Sequence, residues 1–256
     1  METAVAANAR DRETVSRQPR FSGLSHVSLA CRDLAESKLF YSGVLGGELV
    51  HEIPGFVEYR IADAIFGLSE QNQGWTAPQH EYPHYAFYLD GPNFERMIRW
   101  LDGYSVPNYP YRRDPTALVY FRDPSGNLFE LYCDTGYDKI ASLPPAPRRG
   151  GPPIDFRSLN YQWTGRLSRA DSAAMQKPQF SGFAHASLYC RDLAQAKRFF
   201  TTVMICTWFC SGLMPALISI RRKLRSTPGA APRRRRFTMV KSPRCGCKSL
   251  RTTRNQ

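Results

Sequence analysis

Past Asp192 the 256-residue chain contains no aspartate or glutamate, and past His185 it contains no histidine. A carboxylate or imidazole chemistry is therefore excluded from the last quarter of the sequence. Thirteen of the 35 Lys and Arg residues fall after residue 200, and the remaining 22 equal the 22 Asp and Glu residues of the first 200. The formal net charge of +13 thus belongs to the tail, and a basic nucleic-acid-binding body is not expected. Cysteine is scarce before the tail: Cys31, Cys133 and Cys190 are its only instances there, the other four being Cys206, Cys210, Cys245 and Cys247. This excludes a disulfide framework and fits a reducing, cytoplasmic location. The N-terminal METAVAANARDRETVSRQPR has no apolar core and reads as a disordered leader over residues 1–20, not as a signal peptide.

What is present is a repeat. FSGLSHVSLACRDLAESKLF from residue 21 and FSGFAHASLYCRDLAQAKRF from residue 180 are identical at 13 of 20 positions. A spacing of one domain plus a linker indicates module duplication and not a solenoid. The Pro- and Gly-rich SLPPAPRRGGPPIDF marks the linker. The expected organisation is a leader (1–20), a complete module (21–137), a linker (138–179), the start of a second module (180–200) and a basic tail (201–256).

Inside the first module the alternation over 23–30 reads as a strand. Asp33 and Glu36 open a helix that Gly46-Gly47 closes. Strands are expected near 48–53, 56–62 and 64–69. Then the order restarts: HYAFYL as strand, a helix beginning at Pro92, and strands near 116–121 and 127–133 joined by the turn sequence DPSG. This is an α+β pattern of two βαβββ halves.

The chain has five histidines, His26, His51, His80, His84 and His185. His26 and His84 lie in the first strands of the two halves, and Glu130 in the last strand of the second. Two imidazoles and one carboxylate can hold a divalent metal on one face and leave its other positions open. A lone strand histidine is more often structural, so spacing alone leaves both readings standing.

FSGLSHVSLACRDLAESKLFYSGVLGGEL, PHYAFYL and YFRDPSGNLFELY together resemble the vicinal oxygen chelate superfamily, which includes glyoxalase I, extradiol dioxygenases, and fosfomycin- and bleomycin-resistance proteins. The resemblance is full over about 21–137 and partial over 180–200. It implies paired βαβββ units curling into an open, incomplete barrel, with His26, His84 and Glu130 as metal ligands and Fe(II) or Mn(II) as the metal. It also places Tyr120 where dioxygenases and fosfomycin-resistance transferases have an active-site tyrosine. The fourth glyoxalase I ligand would fall at or near Gly67, which cannot coordinate. For a dioxygenase, the acid/base histidine is replaced near Ser69, with His80 the nearby substitute, and Tyr111 stands near the position of a second one. Arg112 and Arg113 supply cationic charge where fosfomycin-resistance proteins bind a phosphonate. Ser28, two residues after His26, is a further hydroxyl candidate.

The ending DPSGNLFELYCDTGYD favours a dioxygenase-like enzyme acting on a small substrate with vicinal oxygens. The alternatives are a fosfomycin-resistance-like thiol transferase or hydrolase, a glyoxalase-like lyase, and a non-enzymatic drug-sequestering protein. Neither nucleic acid nor membrane is an expected partner, and a homodimer is compatible with the family.

The tail admits a membrane span (TTVMICTWFCSGLMPALISI), a nucleic-acid-binding basic segment, or a weak Cys245-Gly-Cys247 metal motif. Loss of reading frame near residue 201 accounts for all three at once. Repeat identity ends inside a helix, acidic residues vanish, and Arg, Cys, Ser and Pro accumulate. On that reading the second module is a remnant without a site of its own, and the tail is disordered.

Overall fold

Asp33 accepts a hydrogen bond at Oδ1 from the backbone N–H of Glu36 (2.8 Å), so the Asp-x-x-Glu signal is a working helix cap. In the computed structural model, the described residues are 24–71, 80–134, 136–147, 150–167, 175–203, 217–221, 237–241 and 248–252. The leader at 1–20 lies outside them.

The first half is strand β1 (His26–Cys31), helix α1 (Leu34–Leu39) continued by a wider π turn through Val44, and strands β2 (Glu48–Ile53), β3 (Phe56–Ile61) and β4 (Ala64–Glu70). The second half is β5 (His84–Tyr88), α2 (Gly91–Gly103), β6 (Asn108–Arg113), β7 (Thr116–Arg122) and β8 (Leu128–Cys133). The sequence reading finds every one of these elements except β6, whose NYPYRR carries a proline that weakens a strand pattern.

The two halves build sheets of the same order, β1-β4-β3-β2 and β5-β8-β7-β6, each with one parallel pair and otherwise antiparallel. Neither sheet closes into a barrel. Phe40, Tyr41, Val44 and Leu45 of the α1 segment, Phe94, Met97 and Leu101 of α2, and inward residues of both sheets form one core. Burying such side chains stabilises by about 1.5–3 kcal/mol each. The Trp100 indole N–H donates to the Val44 carbonyl (3.1 Å) and ties α2 to the end of the first helix.

The second repeat does not stand apart. Strand β9 (Gly182–Tyr189) runs antiparallel to β5 and is buried along most of its length. It needs no module of its own, because β5 supplies the paired edge that an isolated strand lacks. Helix α3 (Leu193–Arg198) follows, with a cap at Asp192 that repeats the Asp33 cap. A π turn (Phe199–Val203) continues it into the tail, whose other described residues are strand. β10 (Leu217–Arg221) pairs with β9, extending the second sheet to six strands. A separate unit, 223–256, contains the hairpin β11 (Phe237–Lys241) and β12 (Lys248–Thr252). Among the described residues no helix is long and apolar enough to cross a membrane.

The stretch expected as linker also packs on the fold. Arg112 of β6 donates its backbone N–H to the Pro144 carbonyl and accepts from the Ala146 N–H, both at 2.8 Å. Ala146 and Leu159 are buried beside Leu118, Tyr120, Leu128 and Tyr132, and Phe156 meets the Tyr120 ring edge-on at 5.3 Å. Residues 143–147 and 150–161 therefore form a strap over the outer face of the second sheet.

Candidate metal centre

Strand alternation decides which residues reach that covered face. On β5 it receives His84 and Ala86, and on β8 Leu128, Glu130 and Tyr132. Register aligns them: Ala86 pairs with Glu130 on one side and with His185 of β9 on the other, and Tyr120 pairs with Glu130 from β7. One row across four strands thus holds His185, Ala86, Glu130 and Tyr120, with His84 one pleat away.

Three ligand atoms converge. His185 Nε2 lies 3.1 Å from Glu130 Oε2 and 3.4 Å from His84 Nε2, and His84 Nε2 lies 3.6 Å from Glu130 Oε2. The point equidistant from all three is about 2.0 Å from each, which is the length of a bond from a divalent transition metal to nitrogen or oxygen. The three side chains are 2–4% exposed. Two imidazole nitrogens and a carboxylate oxygen facing one point fit a divalent cation, because they otherwise share too few protons to satisfy one another.

The surroundings orient these atoms. The Glu81 carbonyl lies 2.9 Å from His84 Nδ1, which assigns the proton there and leaves the Nε2 lone pair directed at the common point. Tyr111 donates its hydroxyl to Glu130 Oε1 (3.0 Å), the oxygen not directed at that point. Tyr120 donates to Glu81 Oε1 (3.1 Å), and its ring lies 5.4 Å from those of His84 and Tyr111. Burial alone would raise the Glu130 carboxyl. The His185 hydrogen bond and the charges of His84, His185 and Arg113 outweigh it and hold the group down at about 2. Burial lowers His84, which favours the neutral imidazole a metal needs.

Of the residues singled out from sequence, His84, Glu130 and Tyr120 meet here. His26 does not: it is exposed on β1, which pairs with β4 in the other sheet. His185, its counterpart in the repeat, takes the place, because β9 and not β1 lies against β5. Ser28 is exposed on β1 for the same reason. Its counterpart Ser187 is 1% exposed on β9, opposite His84, and its hydroxyl has no hydrogen-bond partner among the described residues. His80 is exposed. The contact from its segment goes through its carbonyl, which accepts from Arg122. The next residue, Glu81, is the one that reaches the centre. The repeat itself carried the signal for His185 and Ser187, whereas nothing in HEYPH distinguishes Glu81.

The first sheet has no such centre. Ser28 pairs with Gly67 as Ala86 pairs with Glu130, so Gly67 occupies the carboxylate position. Among the described residues, the only grouping of three ligating side chains with this convergence is His84, Glu130 and His185.

Residues 23–131 match the model of the Glyoxalase/Bleomycin resistance protein/Dioxygenase superfamily. They are a domain of that superfamily. His185 lies beyond the matched span, in the partial repeat. The metallothiol transferase FosB of Staphylococcus epidermidis is 28% identical over 123 residues, which are 46% of this chain and 87% of that protein. The glutathione transferase FosA of Serratia marcescens is 28% identical over 129 residues, 50% of this chain and 92% of that protein. Among solved structures, the fosfomycin resistance protein FosX of Listeria monocytogenes, complexed with Mn(II) and sulfate, is 24% identical. It covers 45% of this chain and 92% of that one, with a TM-score of 0.41. The relatives by sequence bear the names metallothiol transferase, glutathione transferase and fosfomycin resistance protein, which fit the thiol-transferase alternative better than the dioxygenase reading that the DPSGNLFELYCDTGYD ending suggested.

Proposed function

We propose that this chain is a divalent-metal enzyme that adds a thiol or water to a small anionic substrate of the fosfomycin kind. The convergence of His84 Nε2, His185 Nε2 and Glu130 Oε2 carries the reading. The names of the relatives supply the substrate class. Mn(II) is the favoured ion, and when bound it would act as a Lewis acid toward a substrate oxygen.

The chain's own residues fit the rest of the task. Arg113 of β6 is half-buried and interacts electrostatically with Glu130, and no described residue accepts a hydrogen bond from its guanidinium. It would bind the anionic group of the substrate. Ser187 would give its unpartnered hydroxyl to a substrate oxygen. Tyr111 and Tyr120 hold Glu130 and the His84 ring in place, and the strap limits access by water.

The test is to incubate the Mn(II)-loaded chain with fosfomycin, alone and with glutathione, and follow the phosphorus resonance. Metal-dependent conversion, lost in Glu130→Gln, is expected. Oxygen consumption with a catechol and no change in fosfomycin would return the reading to a dioxygenase. Tight drug binding without turnover would make the chain a sequestering protein.

A further inference from the structure

Arg122 ends β7 and is fully buried, the largest side chain among the described residues to be so. Among those residues no carboxylate forms an ion pair with it. Its guanidinium donates instead to three backbone carbonyls: Nη1 to Gly126 (2.5 Å), Nε to Phe156 (3.3 Å) and Nη2 to His80 (3.4 Å). Burying a charge is costly unless hydrogen bonds replace its water, and here neutral carbonyls are the whole replacement. The fold does not by itself bury an arginine at this place. In the first sheet Arg60 holds the same register, opposite Ile65 and in the row of His26, and it is exposed. Arg122 lies opposite Leu128 and in the row of His84 and Ser187, on the face that the strap covers.

The three carbonyls belong to three segments: the DPSG turn, the strap, and residues 80–83 ahead of β5. The last segment has no strand pairing to fix it, since β5 begins at His84. Yet it carries Glu81, whose carbonyl faces His84 Nδ1 and whose carboxylate accepts from Tyr120. The His80 carbonyl that Arg122 binds belongs to the peptide that enters Glu81. We infer that Arg122 is a positioning residue for the metal centre: it ties residues 80–83 to the strap and the turn, and so fixes the Glu81 carbonyl that orients the His84 ring. The inference rests on the proposed role of His84 as a metal ligand. Arg122 acts through Glu81 and not on a ligand directly. The rigid fork of a guanidinium suits the task, because a single ammonium nitrogen cannot match its donors to three segments.

The experiment measures Mn(II) affinity of the full chain, from the paramagnetic resonance of the free ion, on wild type, Arg122→Met, His84→Ala and the double variant. Loss of a group that orients a ligand should weaken binding about tenfold or more in Arg122→Met. In His84→Ala the oriented ligand is already gone, so adding Arg122→Met should cost less than about twofold. An arginine that merely holds the fold together would cost as much in both backgrounds. Tyr161→Phe removes a second bond of the strap, from the Tyr161 hydroxyl to the Arg122 carbonyl (3.0 Å), and spares the guanidinium, so affinity should be unchanged. Wild-type affinity in Arg122→Met, equal losses in the two backgrounds, or the same loss in Tyr161→Phe would each overturn the assignment. If Arg122→Met does not fold, Arg122→Lys, which keeps the charge without the fork, carries the same cycle with the same outcomes. A wild-type chain that binds no Mn(II) would remove the metal reading and this inference with it. A wild type that binds, beside an unchanged Arg122→Met, would remove this inference alone.

Discussion

His185→Ala decides between the site legible in the first module and the site that the fold assembles. The substitution removes one of three protein donors at a point about 2.0 Å from each. Loss of a single residue that merely orients a ligand costs 10–100-fold in metal affinity, so loss of a ligand should reach at least about 100-fold. That is about 2.8 kcal/mol at about 1.4 kcal/mol per tenfold. Glu130 and His84 would stay buried and in place, because Tyr111 and the Glu81 carbonyl hold them independently of β9. His26→Ala, on an exposed strand of the other sheet, should leave the affinity unchanged. The assay is competition for Mn(II) against a chelator, on wild type, His26→Ala, His84→Ala, Glu130→Gln and His185→Ala. If His26→Ala loses the metal and His185→Ala keeps it, the register of β9 on β5 is not what assembles the site, and the reasoning fails.

Ser187→Ala should leave stability unchanged or raise it by up to about 1 kcal/mol, because a buried hydroxyl without a partner is removed, while turnover falls. Thermal melts beside steady-state rates check both halves. Glu81→Gln keeps the carbonyl that orients His84 but weakens the acceptor for Tyr120. The same chelator competition should be unchanged and kcat reduced, and a fall in metal affinity would assign the carboxylate to ligand support instead. Asp123 of the DPSG turn is raised by burial, against hydrogen bonds from Asn127 and Tyr41, to about 6. Between about pH 4 and pH 6 the folded state therefore binds more protons than the unfolded one, and this group's effect is to lower stability as pH rises through that window, by about 3 kcal/mol in all, and to leave it flat above. Glu130, depressed to about 2, acts in the opposite sense at lower pH, its contribution lost as pH falls from about 4 through 2. Denaturant midpoints from pH 4 to 7 should show the Asp123 slope, and Asp123→Asn should abolish it.

The sequence carried the elements better than their assembly. The cap at Asp33, the Gly46 stop with φ of 70°, and the DPSG turn are local devices, and local devices are legible because their partners lie a few residues away. His84 and Glu130 were legible because one module contains both. His185 was visible only as the copy of His26. The two strands share their pattern, and no local property says which of them will lie against β5. That choice is made by long-range pairing, as is the packing of 143–147 and 150–161, whose proline and glycine read as linker although Ala146, Phe156 and Leu159 reach the sheet.

This bears on what the second repeat is for. A complete second module would have brought its own β5-type and β8-type strands, and with them a histidine and a carboxylate for a site completed by His26. Residues 201–256 contain no histidine and no Asp or Glu that could supply them. The proposed centre needs from the second repeat one strand bearing a histidine and a serine, and β9 brings both before the identity with the first repeat is lost. Phe199 shows the cost: it is 48% exposed, whereas its counterpart Phe40 is fully buried, because α1 lies against both β3 and β4 and, among the described residues, the principal strand neighbour of α3 is β10 alone. The helix is therefore the weakly held part and the strand the retained one. Substituting Phe199 by Ser should leave stability within about 0.5 kcal/mol and metal affinity unchanged, whereas Phe40→Ser should cost about 3 kcal/mol or more. Equal losses in the two variants, read from denaturant midpoints, would mean that α3 has a covering partner and that the remnant is more than a strand.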